Sequence, residues 1–242
     1  MNTNRPLIII ALLALGAVAS AAAQPNAAEF KQRVLAQARG MSADDFAFTR
    51  TVRTEQTSNG KTEKRVAIEK FDPSKPADAR WTLVSVNGAP PSADELNDFR
   101  KDVAKRTIVP GYHWLAGYFG TPATTSTDAR GRTVFRFTAL PNETVKVMDS
   151  DVSQNATAEV SVSEVKGAPF AEEVRITLKP MRLKLVMKIE RFESTARYRM
   201  GPDGRPLLVE QISDMTGSGM GQEGRFHTET TYSDHRSVGH LR

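Results

Sequence analysis

From Thr133 to Tyr232 the chain is almost entirely a succession of strand-like segments, which limits it to folds built on one large sheet. Thr133–Leu140, Ala156–Val165, Glu173–Lys179, Leu183–Phe192, Ser194–Met200, Leu207–Ser213 and Arg225–Tyr232 are rich in β-branched and aromatic residues or alternate in polarity. That is the pattern of strands with one buried face. Gly201-Pro202-Asp203-Gly204 is a strong turn. Gly217–Gly224 reads as a connection between the last two strands, because it opens no helix and so makes no phosphate-binding loop. Thr121–Asp128 reads as a loop, having no set of residues that could bury a core face.

The first half adds helices and a hairpin. Phe30, Val34, Leu35 and Ala38 form one helical stripe within Asn26–Arg39, with Asn26 as cap and Gly40 as stop. Phe46–Thr57 then alternates, and Asn59-Gly60 separates it from Arg65–Phe71 as a tight hairpin turn. Trp81–Val86 is a third strand, ended by Asn87-Gly88. Ser92 and Glu95 have the spacing of a capping box, opening a helix to about Lys105 whose apolar stripe is Leu96, Phe99 and Val103. Two helices among eight or nine successive strands indicate an α+β domain with a large, curved antiparallel sheet.

Met1–Ala23 reads as a secretory signal peptide. Arg5 precedes the apolar run Leu7–Leu15, and Ala19-Ser20-Ala21-Ala22-Ala23 supplies small residues for cleavage near Ala23. The run is shorter than the roughly 20 residues that span a bilayer. The expectation is a periplasmic protein with a single domain over residues 24–242. The absence of cysteine excludes disulfides, thiolate chemistry and lipid attachment at a cysteine after the apolar run. The formal charge of +5 falls by one with Arg5, a surplus suited to peripheral contact with anionic lipid or an acidic partner and too small for a nucleic-acid-binding tail.

Catalytic patterns are sparse. His113, His227, His235 and His240 are the histidines, with no Gly-x-Ser-x-Gly elbow and no His-Glu-x-x-His pair. Asp44-Asp45 and Asp149/Asp151 read as solvated loop acids. No enzyme, cofactor or metal is therefore expected. Met181, Leu183, Leu185, Met187 and Ile189 alternate with Arg182, Lys184 and Lys188, one face apolar and the other basic. The apolar set is either the buried face of an ordinary strand or the lining of a groove, to which Met148, Met187, Met200, Met215 and Met220 would add adaptable side chains. Tyr112, Trp114, Tyr118 and Phe119 are either core or a lid over such a groove. A transmembrane β-barrel is disfavoured by the many charges on the outward faces of the strands.

Signal peptide, amphipathic helix, Asn59-Gly60 hairpin, Trp81 strand, inserted helix and a run of long strands ending in Thr231-Tyr232-Ser233-Asp234 together resemble the periplasmic lipoprotein-carrier superfamily, the LolA/LolB/RseB-like half-barrels. Phe71-Asp72-Pro73 and Trp81–Gly88, followed by a helix, look like uncharacterised exported relatives within it. The resemblance implies an unclosed half-barrel, helices on its concave side, and an apolar concavity for a lipid or the acyl chains of a lipoprotein. It also implies a gating arginine, for which Arg50, Arg53 and Arg65 are the candidates. The function that follows is non-catalytic carriage. The alternative is an envelope-stress sensor or assembly factor that binds an envelope protein through the sheet edge or the basic face Arg182/Lys184/Lys188.

Overall fold

The computed structural model describes residues 27–105, 109–138, 140–147, 150–183, 187–219 and 222–238; the segment Met1–Ala23 read as a signal peptide, the expected cap Asn26, and Met148, Asp149, Lys184, Leu185, Met220 and His240 lie outside the described residues. Among these, eleven strands form one antiparallel sheet. Its order is β3(Trp81–Val86), β2(Lys61–Phe71), β1(Phe46–Ser58), β13(Gln222–Ser237), β12(Pro206–Gly219), β11(Met187–Met200), β9(Ala168–Leu178), β8(Ala156–Val165), β5(Thr133–Phe137), β4(Thr124–Thr127), with β10(Met181–Leu183) also on β11. Edges β3 and β4 do not meet, so the sheet is an unclosed half-barrel, and β6(Lys146–Val147) pairs separately with β7(Ser150–Asp151).

One face of this sheet is covered. Helix α1(Ala27–Arg39) buries Phe30, Val34, Leu35 and Ala38 and packs against β9 and the 3-10 turn Tyr112–Gly117. Helix α2(Ala93–Lys105) places Leu96, Phe99 and Val103 over Ala67, Leu83 and Val86 at the β2–β3 edge. Its start is the capping box: Glu95 N donates to Ser92 Oγ at 3.3 Å while Ser92 N donates to Glu95 Oε2 at 2.7 Å. The other face is ion-paired throughout, as in Lys64–Glu55, Arg53–Glu229, Arg175–Glu193 and Arg136–Glu159.

Several local readings change. Thr124–Thr127 is an exposed edge strand; an edge needs one hydrogen-bonding partner and no buried face, and threonine suits extended backbone. β9 begins at Ala168, ahead of the expected Glu173, because Lys166 and Gly167 both take positive φ (52° and 75°) and close a tight β8–β9 hairpin. The segment expected as one strand over Leu183–Phe192 is divided between the two arms of a hairpin, and β11 instead runs on through Ser194 to Met200. β10 keeps the register of β9 on β11, with Leu178 opposite Phe192 and Met181 opposite Ile189. The break falls at Lys179-Pro180, where proline cannot donate to the ladder and β11 is itself bulged between Ile189 and Arg191.

Candidate functional site

An open trough of about 510 Å3 lies where the β1–β2 turn and the ends of β11, β12 and β13 come together. Its floor follows from side chains that are missing. Ile189, Gly217, Gly224 and Ser58 are successive cross-strand partners on β11, β12, β13 and β1, so two glycines sit at the centre of one row. Gly219, opposite Met187, extends the bare patch toward the strand ends. In the next row, Phe192, Met215, Phe226 and Gln56, the last three form the long wall. Four strands span three inter-strand spacings, about 14–15 Å. The result is a shallow apolar channel that crosses the strands.

The lining is graded. At one end Ile189 is fully buried and belongs to the main core, with Met187 and Met215 packed against that core. At the other end Gln56 is exposed and Ser58 half-buried. Phe226 is 37% exposed, a large aromatic left open on the covered face. Gly217 is required by close packing, because a Cβ there would lie 2.2 Å from the Lys188 carbonyl oxygen, which the β11 bulge turns toward it.

Of the charged residues that border the trough, Lys188 and Arg225 are ion-paired, while Glu223 is exposed. Lys188 Nζ lies 2.8 Å from Glu190 Oε1. Arg225 and His227 both meet Asp214 Oδ1, at 3.1 and 2.9 Å. Partial burial works to raise the Asp214 carboxyl, and the hydrogen bonds from His227 and Arg225 overcome this and hold it below the usual carboxylate range. Among the described residues no group of three or more potential metal ligands occurs.

The apolar set of Met181, Leu183, Met187 and Ile189 shares one face, since Met181 pairs with Ile189 and Leu183 with Met187 across the hairpin. Of these, Met187 and Ile189 line the trough, while Leu183 is buried in the core and Met181 packs against it. The basic residues Arg182 and Lys188 face each other across the same hairpin.

The aromatic cluster is placed otherwise. Tyr112, Tyr118 and Phe119 are buried, with Phe119 edge-on to Phe135 and tilted against Phe137, and none lines the trough. Tyr112 accepts a hydrogen bond from Ala171 N at 2.8 Å, where the bulge opposite Ser161/Val162 turns that amide inward. Burial pushes its phenol far above the ordinary range. Trp114 stays 39% exposed.

Of the three candidate arginines, Arg50 makes an ion pair on the covered face. Arg50 donates through Nε and Nη2 to Glu69 Oε2 at 3.1 and 2.8 Å, and its guanidinium lies 4.3 Å from the Trp81 ring centre. Arg53 pairs with Glu229 on the opposite face, and Arg65 is exposed. Asp45, expected in solvent, is 2% exposed and accepts from Ser42 N at 2.9 Å, with Arg205 Nη1 at 3.7 Å. It ties the α1–β1 loop to the β12 entrance, a long-range partnership that local sequence does not show.

The residues missed from sequence are Gly217, Gly219, Gly224 and Phe226. The available signal was glycine at alternate positions of a strand, Gly217 and Gly219, which strips one face only.

No family model and no curated protein matches the chain. Among solved structures, the fold is similar to that of a LolA superfamily protein from Nitrosomonas europaea, with a TM-score of 0.40 and 11% identity over 86% of this chain and 94% of that one. It is also similar to a DUF1329 family protein from Desulfovibrio piger, with a TM-score of 0.26 and 11% identity over 89% of this chain and 94% of the other. No helix among the described residues is long and apolar enough to cross a membrane.

Proposed function

We propose that this protein is an exported, non-catalytic carrier that holds an acyl chain of a lipid or lipoprotein in the trough across β11, β12, β13 and β1. The observation that supports this is the bare floor of Gly217 and Gly224 flanked by Met187, Ile189, Met215 and Phe226. A volume of about 510 Å3 falls within the range of ordinary small-molecule sites. A chain running the length of the trough would bury about ten methylenes, worth about 8 kcal/mol before the cost of ordering. That corresponds to roughly micromolar affinity at best, weak enough for a carrier that must let go. Methionine walls adapt to chains of differing shape, as cargo carriage requires.

The test is native mass spectrometry of protein purified gently from a bacterial host, paired with titration of an uncharged, environment-sensitive naphthylamine dye. Lipid adducts and saturable dye binding are expected. Gly224→Leu, which fills the floor, and Phe226→Ser, which lowers the wall, should both abolish dye binding with the thermal midpoint nearly unchanged. Wild-type protein free of adduct and unable to bind the dye would refute the proposal, as would full binding by the filled variant.

A further inference from the structure

We infer that the trough also selects the head of its ligand, taking a single-chain amphiphile whose anionic head sits at Lys61. This rests on the acyl-chain reading above. The row that makes the floor does not stop at Ser58: in the β1–β2 register Ser58 faces Lys61, so Ile189, Gly217, Gly224, Ser58 and Lys61 form one line over five strands. The line begins at a fully buried isoleucine and ends at an exposed lysine. A chain laid along it has one orientation, its tail against Ile189 and its head at the hairpin.

Charge fixes the kind of head. The other cations near the trough, Lys188, Arg225 and Lys64, all stand on the opposite face by register and are matched there by Glu190, Asp214 and Glu55, and Glu223, which also borders the trough, lies on that opposite face across from Ser218. Among the described residues Lys61 makes no ion pair. The nearest acid on its face is Glu63, which pairs across the ladder with Gln56 in the adjacent row. A monoanionic head at the end of the line would take the Lys61 ammonium as partner and the Ser58 hydroxyl as hydrogen-bond donor. The shared chemistry is a compact oxyanion, whether carboxylate or phosphate.

The experiment is calorimetric titration of the full chain with laurate, dodecyl phosphate and monolauroylglycerol, three ligands of equal chain length, below their micellar concentrations. At low salt both anions should bind about fivefold more tightly than the glycerol ester, the upper range of one exposed ion pair. The gap should shrink as salt is raised. The tighter of the two anions identifies the natural head as carboxylate or phosphate. Lys61→Met should remove the preference and Lys61→Glu reverse it, while Lys64→Met leaves it intact.

The inference is overturned if the glycerol ester binds as tightly as the anions, if the preference survives in Lys61→Glu, or if Lys64→Met abolishes it equally. Failure of all three ligands to bind the wild type would instead refute the acyl-chain reading on which it stands. Circular dichroism of each variant accompanies the titrations, and the two Lys61 substitutions, being at an exposed hairpin end, should both retain the native spectrum.

Discussion

Gly217→Ala probes the physical origin of the trough. The added Cβ would lie 2.2 Å from the Lys188 carbonyl oxygen, and the two strands would have to open by about 1.2 Å to reach the 3.4 Å of ordinary contact. The obstacle is backbone, so no side-chain rotation relieves it. Opening β11 from β12 there weakens the ladder beside Ile189, which is fully buried and cannot follow without disturbing the core. Overpacking of this kind costs about 1–3 kcal/mol, and one or two weakened ladder bonds add about 1 kcal/mol each. A total of about 2–5 kcal/mol lowers the thermal midpoint of a domain this size by about 4–20 °C. Gly224→Ala is the matched control: its Cβ would meet Thr57 O at 3.4 Å, which the strands already accommodate, and its midpoint should stay within about 2 °C of wild type. Differential scanning calorimetry of the two variants decides the matter. Equal midpoints would refute the claim that the β11 bulge, rather than a general preference for small residues, requires glycine at position 217.

Two further predictions concern the opposite end of the sheet and the core. Burial pushes the imidazoles of His113 and His235 below their ordinary range, the acids near His113 and a backbone hydrogen bond to His235 notwithstanding. The unfolded chain therefore binds these protons first, so their contribution to stability is complete above about pH 6.5 and is lost as pH falls from there through the folded-state values. Urea midpoints measured from pH 8 to 5 should decline below about 6.5, and less steeply in the His113→Gln/His235→Gln double variant; parallel curves would count against the assignment. Tyr112→Phe leaves the Ala171 amide, now bonded to the phenol at 2.8 Å, buried without its acceptor, and should cost about 1–3 kcal/mol in equilibrium denaturation. A loss below about 0.5 kcal/mol would mean that another acceptor takes over.

Much of the fold is legible in sequence because its signals are local. Asn59-Gly60 and Asn87-Gly88 adopt positive φ at all four positions, between 50° and 82°, as their turn chemistry requires. The Ser92/Glu95 box and the stripe of α1 act within a few residues. The failures have a common physical cause. Lys166 at a left-handed position carries no turn signal of its own, and the hairpin between Met181 and Ile189 preserves the apolar alternation while reversing the chain. Tyr112 bonds a backbone amide 59 residues away, so periodicity alone could not separate core from lid. The trough was hidden for the converse reason. Its defining residues are glycines, visible in sequence as flexible connection and in the sheet as removed side chains on one face.

The orientation of the ligand follows from where polarity begins on that face. One row inward from Phe192, Met215 and Phe226, the covered face carries Ser194, Ser213, Thr228 and Thr54, with Ser194 and Ser213 joined by a hydroxyl–hydroxyl hydrogen bond of 2.8 Å. Farther along β1 lies the ion pair of Arg50 with Glu69. A chain laid along the strands would leave carbon for hydroxyl after one row, and each methylene beyond would displace water from a polar group without replacing its hydrogen bonds. A chain laid across the strands stays on methionine, isoleucine, phenylalanine and bare backbone from Ile189 to Ser58. The hydroxyl row therefore acts as a stop that turns the ligand through a right angle to the strands, and this crosswise path is what brings its head to the β1–β2 hairpin.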